Sequence, residues 1–390
     1  MNLINDIVAL SEEMQQWRRH IHAHPELAFK EFDTADFVAK KLQEFGLEIH
    51  QGLAGTGVVG TVTRGRSNRA IGLRADLDAL PIEEANQFSH RSKNPGIMHA
   101  CGHDGHTCML LGAAKHLAQS NNFEGTVHFI FQPAEENEGG ARTMIEDGLF
   151  ERFPVEAVYG MHNIPGMPVG SFGIKSGPMM AAFDIFDLKI TGTGGHAAMP
   201  HLTVDPILVG TKIVEAFQTI VSRTINPQEP TVLSVTQFQA GDAYNVIPNE
   251  ITIAGCTRCF SESVQTQLEN TMQKVAEDIA KAHGARIEFR YERRYPPTIN
   301  SEQEAETARQ AATQIVGQGQ VYNPKPSMGS EDFAYMLQVK PGSYIWIGNG
   351  DGEGSCMVHN PGYDFNDEIL PIGATYWVNL VNTILPRLSS

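Results

Sequence analysis

The N-terminal residues carry an apolar stripe from Leu3 to Ile21, whose members follow one another at alternating steps of four and three residues. Such spacing is typical of an amphipathic helix, and Pro25 ends the pattern. A second stripe predicts a helix over 34–46 that closes at Gly46. Short apolar strands and helices then alternate as GVVGTV, AIGLRADL, GHTCMLLGAAKHLAQ, TVHFIFQPA, ARTMIEDGLF and AVYGMHN. This alternation predicts an α/β fold with a mainly parallel sheet covered by helices.

A different rhythm begins near residue 177, and residues 183–190 alternate like a strand with one exposed face. A helix, two strands, a second helix and a third strand follow at about 205–223, 231–241, 249–260, 261–284 and 286–294. We expect antiparallel pairing in this α+β segment. Helix–strand alternation then returns and ends in a helix at 371–386. We therefore predict a catalytic α/β domain formed by 1–181 and 294–390, interrupted by an inserted domain at 182–293.

The composition excludes several classes of protein. The chain has 390 residues, 41% of them apolar, and no apolar run is long enough to span a bilayer. Its net charge of −16 makes nucleic acids and anionic membranes unexpected partners, and an anionic substrate would need a local arginine or metal. The start lacks the basic leader of a signal peptide, and the five cysteines make a poor disulfide framework. Together these features predict a cytoplasmic location.

Three motifs resemble functional sites but have simpler interpretations. GTGVVG at 55–60 matches a dinucleotide-binding fingerprint, but a strand and a turn follow it where that fingerprint requires a helix. We therefore predict a glycine-rich hairpin and reject a dehydrogenase. Cys256 and Cys259 form a lone CxxC in an alternating strand, which favours two packed thiols over a zinc or redox site. The histidines of HIHAHPE at 20–26 would point in different directions, which favours structural roles.

The stretch MHACGHDGH at 98–106 surrounds Cys101 with three histidines. From these residues alone, the thiol could be a nucleophile, a redox group, a metal ligand or an ordinary small residue. Other chemistry-bearing side chains follow the predicted strands: Asp76, Asp78, Glu135, Glu136 and His162, with His359 in a late loop. Taken alone, each of these residues is more often a solvated or hydrogen-bonded side chain without a functional role. Sulfur, imidazole and carboxylate donors at strand ends, however, are what a metal site requires.

Eight motifs, in order over nearly the whole chain, resemble those of the amidohydrolase branch of the aminoacylase and glutamate carboxypeptidase family. They are RADLDALP, MHACGHDGHT, QPAEE, GMHN, GGHAAMPH, NVIPN, GSEDFA and HNPGYDFND. This branch includes hippurate hydrolases, N-acetyl-diaminopimelate deacetylases and auxin–amino acid conjugate hydrolases. The resemblance implies an α/β domain with a dinuclear metal site, interrupted by a lid domain through which two chains dimerise.

The resemblance also assigns roles to particular residues. The implied metal ligands are Cys101, His103, Glu136, His162 and His359. Cys101 is then a thiolate between two metals, with Gly102 and Gly105 allowing its loop to close, and His99 and His106 have weaker claims. Glu135 matches the general base, and Asp76 and Asp78 are expected to support the ligands. His196, Asn245 and Arg258 match lid residues that hold the substrate carbonyl and carboxylate.

The implied function is hydrolysis of the amide bond of a small N-acyl amino acid with two divalent metal ions per chain. A thiolate ligand suits zinc, whereas carboxylate and imidazole also accept manganese, cobalt or nickel. The alternatives are a dipeptidase or carboxypeptidase with the same dinuclear site, and a metal-dependent binding protein, against which the intact Glu135 argues. The resemblance further implies a homodimer in which His196 enters the neighbouring subunit's site.

Overall fold

The computed structural model describes residues 1–136, 138–352 and 354–387. The α-helices in these ranges are α1 (Asn5–Ala9), α2 (Ser11–Ala23), α3 (Phe32–Glu44), α4 (His103–Gln119), α5 (Gly140–Glu146), α6 (Leu149–Arg152), α7 (Pro206–Thr219), α8 (Glu262–Ala282), α9 (Glu302–Val316), α10 (Ala334–Val339) and α11 (Leu370–Ile384). Every helix in the described ranges is too short or too polar to cross a lipid bilayer.

Most of the strands belong to two sheets. The strands are β1 (Glu48–Leu53), β2 (Gly57–Arg64), β3 (Ala70–Asp76), β4 (Gly125–Gln132), β5 (Ala157–Pro165), β6 (Phe172–Gly173), β7 (Gly177–Met180), β8 (Phe183–Thr191), β9 (Gly195–His196), β10 (Val232–Ala240), β11 (Val246–Ile247), β12 (Glu250–Arg258), β13 (Arg286–Tyr295), β14 (Thr298–Asn300), β15 (Val321–Tyr322) and β16 (Gly342–Gly350). The larger sheet has the order β1-β2-β4-β3-β5-β16-β6-β15, and the smaller has the order β10-β12-β8-β13.

The contacts divide the chain into two compact units. The larger unit consists of Met1–Met179, Ile299–Lys325 and the residues from Asp332 onward, and the inserted unit consists of Met180–Thr298 and Pro326–Glu331. The second segment of the inserted unit lies outside the insertion expected from the sequence. It joins that unit because the main-chain N–H of Ala181 bonds the carbonyl oxygens of Ser327 and Gly329, at 3.0 and 2.9 Å.

The centre of the larger sheet is parallel. Strands β4, β3, β5 and β16 lie side by side in the same direction, and the antiparallel pairs of this sheet involve β1, β2 and β6. The central strands are mainly apolar and buried along most of their length because helices cover both faces. Helix α4, which packs against β3, α2 and α11, is itself almost entirely buried. Parallel strands end along one edge of the sheet, and Asp76, Glu135 and His162 lie at or just beyond that edge.

Several local expectations can be compared with the structure. The GTGVVG stretch forms the turn and second strand of the antiparallel β1–β2 hairpin, as predicted, and the next element in the described ranges is the strand β3 rather than a helix. The first predicted helix is divided at Leu10, whose N–H bonds the oxygen of Ile7 at 3.0 Å and so tightens the turn between α1 and α2. The helix predicted over ARTMIEDGLF is divided into α5 and α6 by Gly148, which adopts a left-handed φ of 88°.

The inserted unit is an antiparallel sheet with α7 and α8 packed on one face. Alternate residues of β8 and β12 are buried against these helices, as the alternating sequence pattern indicates, and the intervening residues are partly or fully exposed. Asp205 and Ser261 cap the two helices by accepting main-chain N–H bonds at 2.9 and 3.2 Å. Cys256 and Cys259 are free thiols on β12 and directly after it.

Candidate metal centre

Two glycines shape the loop that carries Cys101 into α4. Gly102 precedes the helix in a left-handed conformation with φ of 95°, and a Cβ atom there would lie 2.2 Å from Oδ1 of Asn163. Gly105 lies in the first helical turn, where a Cβ atom would lie 2.2 Å from the ring of Phe365. A side chain at either position would push the loop away from its neighbours, so both glycines allow the buried Cys101 to reach its position.

Two imidazoles are oriented by main-chain carbonyl oxygens. Nδ1 of His103 donates to the oxygen of Asp78 at 2.9 Å, and Nδ1 of His162 donates to the oxygen of Asn163 at 2.6 Å. In the neutral ring, the proton is then on Nδ1 and the lone pair of Nε2 is available to a metal. Nε2 of His162 lies 3.3 Å from Sγ of Cys101.

His106 has both ring nitrogens engaged. Its Nδ1 is 2.7 Å from Oδ1 of Asp76, and its Nε2 accepts the main-chain N–H of Asn163 at 3.0 Å. Oδ2 of Asp76 accepts a bond from Arg74 at 2.7 Å and lies 3.8 Å from Nε2 of His103. Asp76 therefore lies behind the candidate ligands, where it orients His106 and, through Asn163, the end of β5.

The two glutamates leave β4 through a turn that Asp78 holds by its side chain. Oδ1 of Asp78 accepts the main-chain N–H of Glu135, and Oδ2 accepts that of Glu136, both at 2.9 Å. Oε1 of Glu135 accepts the main-chain N–H of Asp332 at 3.4 Å. With the turn held in this way, Glu135, Glu136 and His103 offer donor atoms within 4.8 Å of one another.

His359 reaches the same place from a loop after β16. Its φ of 66° is unusual for a residue with a Cβ atom, and its main-chain N–H donates to the oxygen of Ala100 at 2.7 Å. Its Nε2 lies 3.2 Å from Oε1 of Glu136, and its side chain is 51% exposed. His359 is therefore the solvent-facing member of the cluster.

The described residues include two donor groups that share one thiol. Cys101, His103 and His162 form one group, and Cys101, Glu136 and His359 form the other. Within each group the donor atoms lie within 4.8 Å of one another. The five residues expected as metal ligands therefore come together in the larger unit, and Cys101 occupies the position that belongs to both groups.

Burial shifts the pKa values of Cys101 and His162 in opposite directions. Burial raises the pKa of the Cys101 thiol well above its usual value, and Glu136, Glu135 and Asp76 raise it further. A thiolate here therefore requires a cation close by. Burial also lowers the pKa of His162 well below its usual value, which keeps the ring in the neutral form that binds metals.

The pKa of His103 reflects the net charge of the groups around it. Burial opposes a charge on this ring, but Asp76, Asp78 and Glu136 outweigh burial and raise the pKa of His103 to about 10. The cluster thus holds an excess of negative charge that attracts a proton. A divalent cation in place of that proton would experience the same attraction.

The inserted unit brings His196 and Asn245 together. His196, on β9, pairs with Val246 of β11, and the N–H of Ala197 donates to the oxygen of Asn245 at 3.0 Å. Both predicted residues are exposed. Nδ1 of His196 accepts the N–H of Ala198 at 3.1 Å, so a proton on the neutral ring lies on Nε2.

Arg258 lies elsewhere in the inserted unit. It ends β12, with its guanidinium 4.0 Å from the centre of the Phe183 ring and Nη1 3.2 Å from Oγ of Ser330. The opposite end of β12 pairs Glu250 with Thr191, the last residue of the strand that leads to His196. The nine residues of β12 span roughly 27 Å at ~3.4 Å per residue, and this length separates Arg258 from the His196 end.

A buried polar network behind the glutamates was not predicted from the sequence. Arg74 donates to Gln132 and Asp332 at 2.8 and 2.9 Å, and Asp332 accepts the N–H of Ala141 at 2.8 Å. The available signals were a charged residue inside the apolar strand AIGLRADL and the acidic pair of GSEDFA. Neither pattern indicates which residues meet, because Arg74 and Asp332 are separated by 258 positions.

The amino-acid sequence matches the model of Peptidase family M20/M25/M40 over residues 72–383. The chain belongs to this family. A hippurate hydrolase of Campylobacter jejuni is 41% identical over 381 residues, which are 97% of this chain and 98% of that protein. An N-acyl-L-amino acid amidohydrolase of Geobacillus stearothermophilus is 48% identical over 287 residues, 73% of this chain and 77% of that protein.

A solved structure from the same family is also similar. It is that of a Bacillus subtilis protein described as a dinuclear metal binding peptidase from the M20 family. The TM-score is 0.85 with 35% sequence identity, and the match covers 97% of this chain and 99% of that chain. The mainly parallel sheet and the inserted unit are therefore features of an M20 fold.

The donor set of this M20 family member fits divalent metal ions. Nε2 of His103 and Oε1 of Glu136 are buried and have no hydrogen-bond partner among the described residues. Unpaired buried polar atoms cost free energy, and a cation bound by both would remove that cost. The combination of one sulfur, three imidazoles and a carboxylate, with Glu135 beside them, is suited to zinc and related metals.

Proposed function

We propose that this chain is a metal-dependent amidohydrolase that cleaves the amide bond of N-acyl amino acids. The observation that carries the proposal is the cluster in which Cys101 belongs to two donor groups and Glu135 lies beside them. Glu135 belongs to neither of the groups that contain the thiol, and we assign its carboxylate to proton transfer. The names of the two relatives above indicate the same class of substrate.

We assign Cys101, His103, Glu136, His162 and His359 as ligands of two divalent metals, with Cys101 between them. Two such cations would supply Lewis acidity at the amide carbonyl and lower the pKa of water, which would be near ~7 for zinc. The thiolate favours zinc, and manganese, cobalt and nickel are compatible with the remaining donors. Asp76 and Asp78 would maintain the orientation of these ligands.

Glu135 is the general base in this proposal. Its carboxylate takes a proton from water as the water oxygen attacks the amide carbon, and passes that proton to the nitrogen of the leaving amine as the C–N bond breaks. The main-chain N–H groups of Glu135 and Glu136 donate to the side chain of Asp78, and these bonds hold the Glu135 carboxylate in place. Arg258 would pair with the substrate carboxylate, which supplies the local cation that the acidic chain needs.

His196 would donate a hydrogen bond from Nε2 to the oxygen that becomes negative during attack. A small N-acyl amino acid cannot contact both His196 and Arg258 of one inserted unit, because roughly 27 Å of strand lies between them. If both residues bind one substrate molecule, they belong to different chains. The inserted unit is therefore assigned as a lid and dimerisation domain, with His196 and Asn245 supplied by the partner.

The edges of the inserted sheet favour pairing through β10. The sequence of β10, VLSVTQFQA, contains no charged residue, whereas β13, RIEFRYERRY, is rich in charges that oppose edge-to-edge pairing. Exposed apolar residues of this unit include Met199, Leu202, Leu208, Phe238, Tyr244 and Val246. Two copies of β10 could pair about a two-fold axis and cover part of this surface.

The dimer can be tested by mixing two inactive variants. Glu135→Ala and His196→Ala homodimers should each be nearly inactive, whereas a mixed dimer contains one complete site formed by Glu135 of one chain and His196 of the other. Random reassociation makes half of the dimers mixed, so about a quarter of wild-type activity should return. The variants are unfolded and refolded together, with wild-type protein treated in the same way as the reference.

The controls are each variant refolded alone and a labelled pair that reports subunit exchange. Activity that stays at the level of the separate variants, despite demonstrated exchange, would mean that His196 acts within its own chain or has no part in the reaction.

The substrate class can be tested with a hydrolysis panel of hippurate, N-acetyl amino acids, N-acetyl-diaminopimelate, indoleacetyl conjugates and dipeptides. At least one N-acyl amino acid should exceed the dipeptides in kcat/KM by ~10-fold or more, and a chelator should abolish the activity. Preference for dipeptides would support the dipeptidase or carboxypeptidase alternative instead. No turnover of any compound by metal-loaded protein would contradict the proposed function.

A further inference from the structure

Two residues with unusual backbone conformations share one hydrogen-bond acceptor. Phe29 and Ala134 both have Cβ atoms and both adopt left-handed φ angles, of 59° and 55°. The main-chain N–H of each donates to Oε1 of Glu31, at 3.0 and 2.9 Å. L-residues rarely adopt this conformation unless the surroundings impose it, so the Glu31 carboxylate stabilises both turns.

Glu31 is well suited to hold a main chain rigidly. It is fully buried, and its second oxygen accepts the hydroxyl of Thr56 at 2.7 Å. Its side chain therefore accepts three hydrogen bonds from three different segments. Burial raises the pKa of this carboxyl to about 7, although the bond from Thr56 opposes the rise.

One of the bonds reaches the residue directly before Glu135. Pro133 has no N–H, and the next three N–H groups of the chain all donate to buried carboxylates. That of Ala134 donates to Glu31, and those of Glu135 and Glu136 donate to Asp78, each at 2.9 Å. Asp78 holds the turn from the side of the metal ligands, and Glu31 holds the point at which the chain enters it.

We propose that Glu31 is a positioning residue for Glu135, acting through the N–H of Ala134. It fixes the left-handed conformation of Ala134 and thereby the direction in which the Glu135 side chain leaves the turn. This role rests on the proposed function, in which Glu135 is the general base. Glu31 contacts neither the candidate ligands nor Glu135 in the described hydrogen bonds, so it affects the orientation of the base without taking part in the chemistry.

Three substitutions separate the hydrogen bonds from the charge. Glu31→Ala removes the acceptor and should lower kcat by ~10- to ~10²-fold with KM changed less than ~2-fold, because a displaced base loses its alignment. Glu31→Gln retains an oxygen for both N–H groups and can donate to Oγ1 of Thr56, so kcat should stay within ~3-fold of wild type. Glu31→Asp withdraws the carboxylate by one carbon, ~1.5 Å, and should lower kcat by at least ~10-fold.

Asp147 provides a matched control. Ala54 is another left-handed residue (φ 50°), and its N–H donates to Oδ2 of Asp147 at 2.7 Å. Asp147→Ala removes the same kind of bond, and in the described hydrogen bonds neither Ala54 nor Asp147 contacts the turn of Glu135, so kcat should stay within ~2-fold of wild type. All variants are assayed at pH 8, loaded with metal, and compared by circular dichroism, thermal unfolding and elemental analysis.

A double-substitution cycle tests whether Glu31 acts through Glu135. In a Glu135→Gln background, Glu31→Ala should change the residual kcat by less than ~3-fold, because no base remains to be misaligned. A further loss of ~10-fold in that background would show that Glu31 acts by another route and would overturn the proposal.

Other results would also overturn it: normal kcat in Glu31→Ala or Glu31→Asp, loss of metal in either, a change in KM alone, or a Glu31→Gln variant as impaired as Glu31→Ala. If Glu31→Ala does not fold, Glu31→Asp and Glu31→Gln carry the test.

An inactive wild type, or full activity of Glu135→Gln, contradicts the proposed function itself and removes this role with it. An active enzyme that tolerates Glu31→Ala contradicts only the role of Glu31.

Discussion

Replacement of Glu135 by glutamine is expected to lower kcat by at least ~10²-fold while two metal ions per chain remain bound. Glutamine retains the size of the side chain but cannot accept a proton from water at neutral pH. The hydrogen bonds that the Asp78 carboxylate accepts from the main-chain N–H groups of the turn do not involve the substituted atoms and should persist. The measurements are steady-state kinetics on the best substrate of the panel and elemental analysis of the same preparation.

The adjacent residue is the matched control. Oε1 of Glu136 is buried without a hydrogen-bond partner among the described residues and lies 3.2 Å from Nε2 of His359. Glu136→Gln should therefore reduce metal content as well as activity. Near-normal turnover in Glu135→Gln, or loss of metal from it, would contradict the assignment of Glu135 as the base.

Substitution of Cys101 by alanine should remove at least one metal ion per chain. The thiol belongs to both donor groups, so its loss leaves only two imidazoles in one and one carboxylate with one imidazole in the other. Alanine supplies no donor atom, and two donors bind a divalent metal far more weakly than three. Elemental analysis after dialysis against metal-free buffer measures the effect, and kcat should fall with metal content.

Cys108 offers a control for the loss of a buried thiol. It lies on α4, is fully buried and is a free cysteine, but belongs to none of the donor groups found in the described residues. Cys108→Ala should lower thermal stability through the small cavity that it creates while two metals stay bound. Two metals retained in Cys101→Ala would refute a thiolate shared between them.

The sequence alone predicted the fold to the extent that apolar periodicity reflects burial. Strands β3 and β4 are mainly apolar and almost entirely buried because both of their faces are covered, and 183–190 alternates because one face of β8 packs on helices. The divisions at Leu10 and Gly148 escaped prediction, since an apolar stripe continues across a change in backbone conformation. The short segment 326–331 joins the inserted unit by hydrogen bonds that leave no periodic signal.

The candidate ligands could be identified from the sequence because each stands in a distinctive motif, whether near a strand end, at the start of α4 or in a loop. Their supporting contacts could not, because these join distant positions. Glu31 meets Ala134 across 103 positions, and His106 meets Asn163 across 57. The separation of His196 from Arg258 depends on the register of β12 against β8, which pairs Glu250 with Thr191. Register follows from packing between strands, and the residues around His196 and Arg258 do not contain that information.

Two buried polar atoms of the metal centre also affect how the larger unit folds. Nε2 of His103 and Oε1 of Glu136 are buried without hydrogen-bond partners among the described residues, and excess negative charge surrounds them. Metal ions that satisfy these atoms bind the folded chain and find no assembled site in the unfolded chain. Thermodynamic linkage then converts binding energy into resistance to unfolding. The cations of the proposed catalyst therefore also act as ligands that select the native state, and the polar interior required for chemistry becomes a source of stability once they are bound.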